Sequence, residues 1–144
     1  MADEKNVVMS DDLAVTEFNR WAEENGIDVD TTSMNDEEKS TFDSQKRTIV
    51  KSIAKGQTVV NDNDDLEITL GAKNPEGYAG TKLVFKAPSA QAYLGMDNFK
   101  ANQNVHKMVA YMSAMTGKDI AYFSKIANAD FKLFMAVATF FITN

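Results

Sequence analysis

His106 is the single histidine of this 144-residue chain. A histidine that moves protons needs an orienting partner and other converging groups. Its neighbours Val105 and Lys107 supply neither, so it reads as a surface or half-buried helix residue. Asp28, Asp30 and Thr32 have the odd-position spacing of a calcium loop. The sixth position of that loop would be Ser33, where a sharp turn requires Gly, and the twelfth would be Lys39, where a bidentate Glu belongs. The cluster from Asn61 to Asp65 begins no complete loop either, and both stretches read as solvated acidic loops without a metal. Gly77-Tyr78-Ala79-Gly80 is a GxxG; in a nucleic-acid clamp it would join two helices among basic residues. Here it lies between two expected strands beside Glu76, which makes it a hairpin loop. Phosphate-loop, dinucleotide, HExxH and GxSxG patterns are absent, and no two carboxylates share an apolar helix face in the C-terminal half. The expectation is a protein that is not an enzyme and holds no cofactor.

The elements that would position any site follow from caps and periodicity. Ser10 can cap a helix over about 11–25, with Asp11 and Asp12 in its first turn, where negative charge is favourable. Leu13, Phe18, Trp21 and Ala22 form its apolar stripe, and Asn25-Gly26 stops it. Asn35 with Glu38 three residues later resembles a capping box. The helix it opens runs to about 55, with Phe42, Ile49, Val50 and Ile53 inward and Gly56 closing it. Both stripes are narrow, so this pair needs something further to pack on. Val59-Val60 suggests a short strand before the acidic turn. Leu66, Ile68 and Leu70, then Leu83 and Phe85, alternate with polar residues around a Gly- and Pro-bearing loop, which predicts an antiparallel hairpin at about 65–71 and 81–87. A short helix is expected at about 89–95, a longer one at about 98–116 with Phe99, Val105, Met108, Val109, Met112 and Met115 on one face, and a short one at about 119–126. Asn128 caps the last, with Asp130 in its first turn. The fold class expected is α+β, mainly α-helical with one antiparallel β-hairpin.

Apolar residues make up 44% of the chain and charged residues 25%, ordinary proportions for a globular protein. The chain has no cysteine, which removes disulfides and thiolate chemistry and fits a reducing compartment. The start lacks the basic and apolar regions of a signal peptide, so the expectation is a cytosolic protein. The net charge of −6 conceals a division: residues 1–67 carry 17 Asp/Glu against 7 Lys/Arg, and residues 68–144 carry 4 acids against 8 lysines. The division suggests residues 1–64 as an acidic helical arm and 65–144 as a hairpin-plus-helix core. The lysines are dispersed and no arginine joins them, so no nucleic-acid partner is expected.

The methionines and phenylalanines of the C-terminal third carry the remaining signal. Phe131 to Ile142 holds one charge, Lys132, and apolar side chains on every face, so it must be covered. At twelve residues it is too short for a bilayer, which takes about 20, and no membrane association is expected. It is either the innermost element of the domain or a surface held for a partner. Methionine suits adaptable binding surfaces as well as cores. The residues expected at a partner surface are Met112, Met115, Phe123, Phe131, Phe140 and Phe141, with Val105, Met108 and Phe134 inward.

Over about residues 65–142 the chain resembles the tail assembly chaperones of tailed bacteriophages. The resemblance is carried by LEITL and GTKLVFKAPSA, similar to that family's hairpin and Pro-containing helix start, and by MVAYMSAMTGKDIAYFSKIANADFKLFMAVATFF, similar to its closing helical pattern. It implies a non-enzymatic protein of the host bacterial cytoplasm. That protein would bind the helical tape measure protein during tail assembly and be absent from the mature virion. Asp130 would then be structural. The acidic N-terminal region exceeds the family pattern, and self-association or shielding is the expectation for it. A structural virion protein, such as a small tail or head–tail joining subunit, and an unrelated small ligand-binding or regulatory domain are the alternatives.

Overall fold

In a computed structural model the described residues are 9–90, 92, 94 and 104–143. Helix α1 (Asp11–Glu24) begins where the Ser10 hydroxyl accepts from the Leu13 amide at 3.3 Å. Helix α2 (Asp36–Ala54) begins with the full capping box: Asn35 Oδ1 accepts from the Glu38 amide at 2.8 Å, and Glu38 Oε1 accepts from the Asn35 amide at 3.2 Å. Gly26 ends the first at a φ of 71°, the left-handed conformation that glycine adopts without strain. The stripe of α1 is Ala14, Phe18, Trp21 and Ala22, all buried. Leu13, expected on that stripe, is instead 59% exposed.

Three strands follow, one more than the hairpin. Strands β1 (Thr58–Val60), β2 (Leu66–Thr69) and β3 (Lys82–Phe85) form an antiparallel sheet in sequence order. Val60 faces Leu66 across the first pair and Leu66 faces Phe85 across the second. The acidic cluster is the turn between β1 and β2. Asn61 Oδ1 accepts from the amides of Asn63 and Asp65, and Asp64 takes a φ of 62°. Arg20 of α1 donates to Asp64 Oδ1 and to the Val60 carbonyl, and Asn25 Nδ2 donates to the Asp64 carbonyl at 2.8 Å, which fixes this turn to α1.

Helix α3 (Asn104–Thr116) ends at Gly117, whose φ of 77° turns the chain into a 3₁₀ helix (Ile120–Lys125), and α4 (Asn128–Thr143) closes the fold. Ala92 and Leu94 of the short helix expected at 89–95 are helical. Phe99 and the expected start of the longer helix at 98 lie outside the described residues. Among the described residues no helix is long and apolar enough to cross a membrane.

The division at residue 64 is not a division of packing. One hydrophobic cluster runs from Ala14 and Phe18 through Ile49, Ile53, Leu66 and Phe85 to Phe134, Val137 and Phe140. Phe140 sits in an aromatic knot, with ring centroids 5.4 Å from Phe18, 5.2 Å from Phe42 and 6.3 Å from Trp21. The physical reason is reciprocal. Two helices with narrow stripes lack partners, and a last helix apolar all round lacks cover; each supplies the other. The acidic helices therefore share a core with the C-terminal half and do not hang from it as an arm.

Candidate functional site

A mainly apolar groove of about 470 Å³ lies between the first turns of α3, the 3₁₀ helix and the start of α4. Val105 and Val109 of α3 form one wall, Ile120, Phe123 and Ile126 the second, and Phe131 the end. The wall exists because a 3₁₀ helix has about three residues per turn, which aligns positions 120, 123 and 126 along one edge. Phe123 is buried, its ring edge-on to Phe134 at 6.2 Å, and anchors that edge to α4. Ile120 remains 44% exposed and Val105 53% exposed. Val105, expected inward, lies out because burial deepens along α3: Tyr111, Met112 and Met115 are buried, whereas Val105 and His106 precede the buried part.

The six residues expected at a partner surface divide. Phe123 and Phe131 line the groove. Met112, Met115 and Phe140 are at most 2% exposed and belong to the core. Phe141 is half-buried, its ring edge-on to Trp21 at 5.5 Å. Packing accounts for the difference: Phe140 meets α1 and α2, and the methionines lie on the inner face of α3. Sequence reasoning also missed Ile120 as a surface residue, although its i, i+3 spacing to Phe123 under a 3₁₀ geometry was the available signal.

None of the residues lining the groove is Lys, Arg, Asp or Glu. His106 lies at its rim, and Lys107, Lys125 and Lys132 each adjoin a lining residue in sequence. The nearest acid in sequence beyond exposed Asp119 is Asp130, which is buried and turned inward. Asp130 accepts from Gln57 Nε2 at 2.7 Å, from the Gly71 amide at 2.8 Å and from Asn74 Nδ2 at 2.6 Å. Asn74 Oδ1 in turn accepts from the Ala127 amide at 2.7 Å. This set joins the sheet, the hairpin loop and the start of α4, and so holds the end wall of the groove. A shallow cleft of about 460 Å³ lies over it, with Lys55 and Lys73 at its edge. Beside the groove, Tyr78 stacks on Tyr122 with centroids 4.6 Å apart, and Lys118 lies over Tyr122 at 5.3 Å. Burial first, and Tyr78 second, push the Tyr122 phenol above its ordinary pKa.

Among the described residues no three His, Cys, Asp or Glu side chains gather to hold a metal. The arrangement offers an apolar trough, suited to a helix or an extended apolar segment. Compared with protein-family profiles, characterised proteins and solved structures, the chain gives no significant match.

Proposed function

We propose that this protein is a non-enzymatic tail assembly chaperone of a tailed bacteriophage or prophage, acting in the host cytoplasm. It holds the helical tape measure protein while the tail tube is built and leaves before the virion is complete. The observation that carries the reading is the groove between α3, the 3₁₀ helix and α4, whose walls leave Val105 and Ile120 exposed. An amphipathic helix lays apolar residues spaced i, i+3 and i+4 into such a trough. The resemblance of residues 65–142 to tail assembly chaperones supplies the identity of that helix.

Co-expression with the tape measure protein encoded beside it, followed by pull-down, is the direct test. The expected result is a complex that Ile120→Asp abolishes while the variant keeps its fold. Absence of a complex at micromolar concentration overturns the proposal. Recovery of the protein from purified virions by mass spectrometry would point to a structural tail or head–tail joining subunit instead.

A further inference from the structure

Asn25 and Gly26 are the one Asn-Gly pair in the chain. Asparagine before glycine readily loses its side-chain amide, because glycine carries no side chain to obstruct attack by its own nitrogen on the neighbouring carbonyl carbon. Gly26 is exposed, with a φ of 71° and no atom within 4 Å of where a Cβ would stand. Yet the fold engages both reacting groups. The two hydrogens of Asn25 Nδ2 are donated to the Trp21 and Asp64 carbonyls, each at 2.8 Å. The attacking nitrogen, that of Gly26, donates to the Glu23 carbonyl at 3.2 Å. On either side the Asn25 amide donates to the Trp21 carbonyl at 3.1 Å, and the amide of buried Ile27 to the Ala22 carbonyl at 2.8 Å. These bonds hold the Asn25 backbone at φ −100° and ψ 9°. Side chain and backbone therefore cannot turn together to close a ring.

We propose that Asn25-Gly26 is a modification site that the fold keeps unreacted, and that its conversion releases the β1–β2 turn from α1. When the end of α1 opens, the Gly26 nitrogen gives its proton to a solvent base and bonds to Asn25 Cγ. The Cγ–Nδ2 bond breaks, ammonia leaves, and a succinimide ring remains. Water adds to either ring carbonyl, and the ring C–N bond that breaks leaves aspartate or isoaspartate at position 25. The net change is water in and ammonia out, with no oxidant or reductant. The ionised aspartate has no hydrogen to give to the Trp21 and Asp64 carbonyls, so two hydrogen bonds become oxygen facing oxygen. Its charge also falls at the C-terminal end of a helix, where the carbonyl dipoles disfavour it, near exposed Glu23 and Glu24. Isoaspartate adds a methylene to the backbone where the helix-end bonds meet. Among the described residues Arg20 is then the remaining hydrogen-bonded tie between α1 and the turn, through Asp64 Oδ1 and the Val60 carbonyl. The site stands whatever partner the protein binds.

Peptide mass spectrometry of the full chain, incubated at mildly alkaline pH with and without guanidinium, tests the guarding of the site. Conversion at position 25 should be slower in the folded chain by on the order of tenfold or more, because only opened molecules react. Arg20→Gln loosens the turn from outside the reacting pair and should raise the folded-state rate several-fold. If circular dichroism shows that Arg20→Gln alters folding, Asp64→Asn replaces it, since asparagine tolerates the left-handed backbone of that position. Hydrogen exchange tests the release. In Asn25→Asp the Asp64 and Asp65 amides, which donate within the turn to Asn61, should exchange faster than in wild type. They should also exchange faster than in Asn25→Ala, which loses both bonds without placing charge there. Equal conversion in the folded and unfolded chain, or none in either, overturns the proposal. So does a folded-state rate that loosening the turn leaves unchanged, or exchange no faster in Asn25→Asp than in Asn25→Ala.

Discussion

Replacing Asp130 with Ala tests whether the start of α4 is held by the carboxylate described above. Three donors converge on that side chain, and they would fare differently on its loss. Gln57 Nε2 also donates to the Thr69 carbonyl at 3.1 Å, and Asn74 Nδ2 to the Gly71 carbonyl at 2.9 Å, so each keeps a second acceptor. The Gly71 amide has its bond to Asp130 Oδ2, and leaving such a group unsatisfied costs about 1–3 kcal/mol. The two shared donors lose charge-assisted bonds worth about 1 kcal/mol each after their remaining partners are counted. Removing a first-turn acid costs about 0.3–1 kcal/mol more. Relief of carboxylate desolvation opposes these losses, and the net expectation is a destabilisation of about 3 kcal/mol. With a urea m-value of about 2 kcal/mol/M for a domain of this size, the unfolding midpoint falls by about 1.5 M. Asp119→Ala is the control, since Asp119 is exposed and makes no side-chain cap bond; it should stay within about 0.5 kcal/mol. A midpoint for Asp130→Ala no lower than that of Asp119→Ala would refute the reasoning.

Two further outcomes follow from the packing. Phe140→Ala removes a ring that is fully buried among Phe18, Trp21 and Phe42 and should cost about 3–5 kcal/mol. Thermal unfolding measures it, and an unchanged melting temperature contradicts the shared core. Tyr122 should ionise later than an ordinary tyrosine, because burial and the stacked Tyr78 disfavour its phenolate. With the folded pKa raised, its contribution to stability is present below the unfolded value near ~10 and is lost as pH rises through the folded one. Absorbance titration of wild type against Tyr122→Phe reads this, and a variant curve still showing the latest step excludes Tyr122 as its source.

What the sequence made legible was local. The caps at Ser10 and Asn35 reach only three residues along the chain, and the alternation of Leu66, Ile68, Leu83 and Phe85 matches their burial. A strand of three residues is too short to show a period, so β1 was visible only as a suggestion at Val59-Val60. Asp130 was readable as a first-turn acid, but its bonds to Gln57 and Asn74 span 73 and 56 residues, and no local pattern announces them. The last helix posed a choice between inner element and partner surface. Leu133, Phe134, Val137 and Phe140 are buried while Phe131 lines the groove, so one helix serves the core along most of its length and the candidate surface at its start. That split depends on where α1 and α2 lie, which is set by tertiary packing beyond the reach of helix periodicity.

The central claim is that the groove receives a helical partner. Titrating isotope-labelled protein with helical segments of the tape measure protein, and following amide resonances, tests it most directly. Saturating shifts confined to Val105, Val109, Ile120, Ile126 and Phe131, with Phe18, Phe42 and Phe140 undisturbed, are the predicted result. Shifts centred on α2 or on the aromatic knot, or none for any segment, would contradict it.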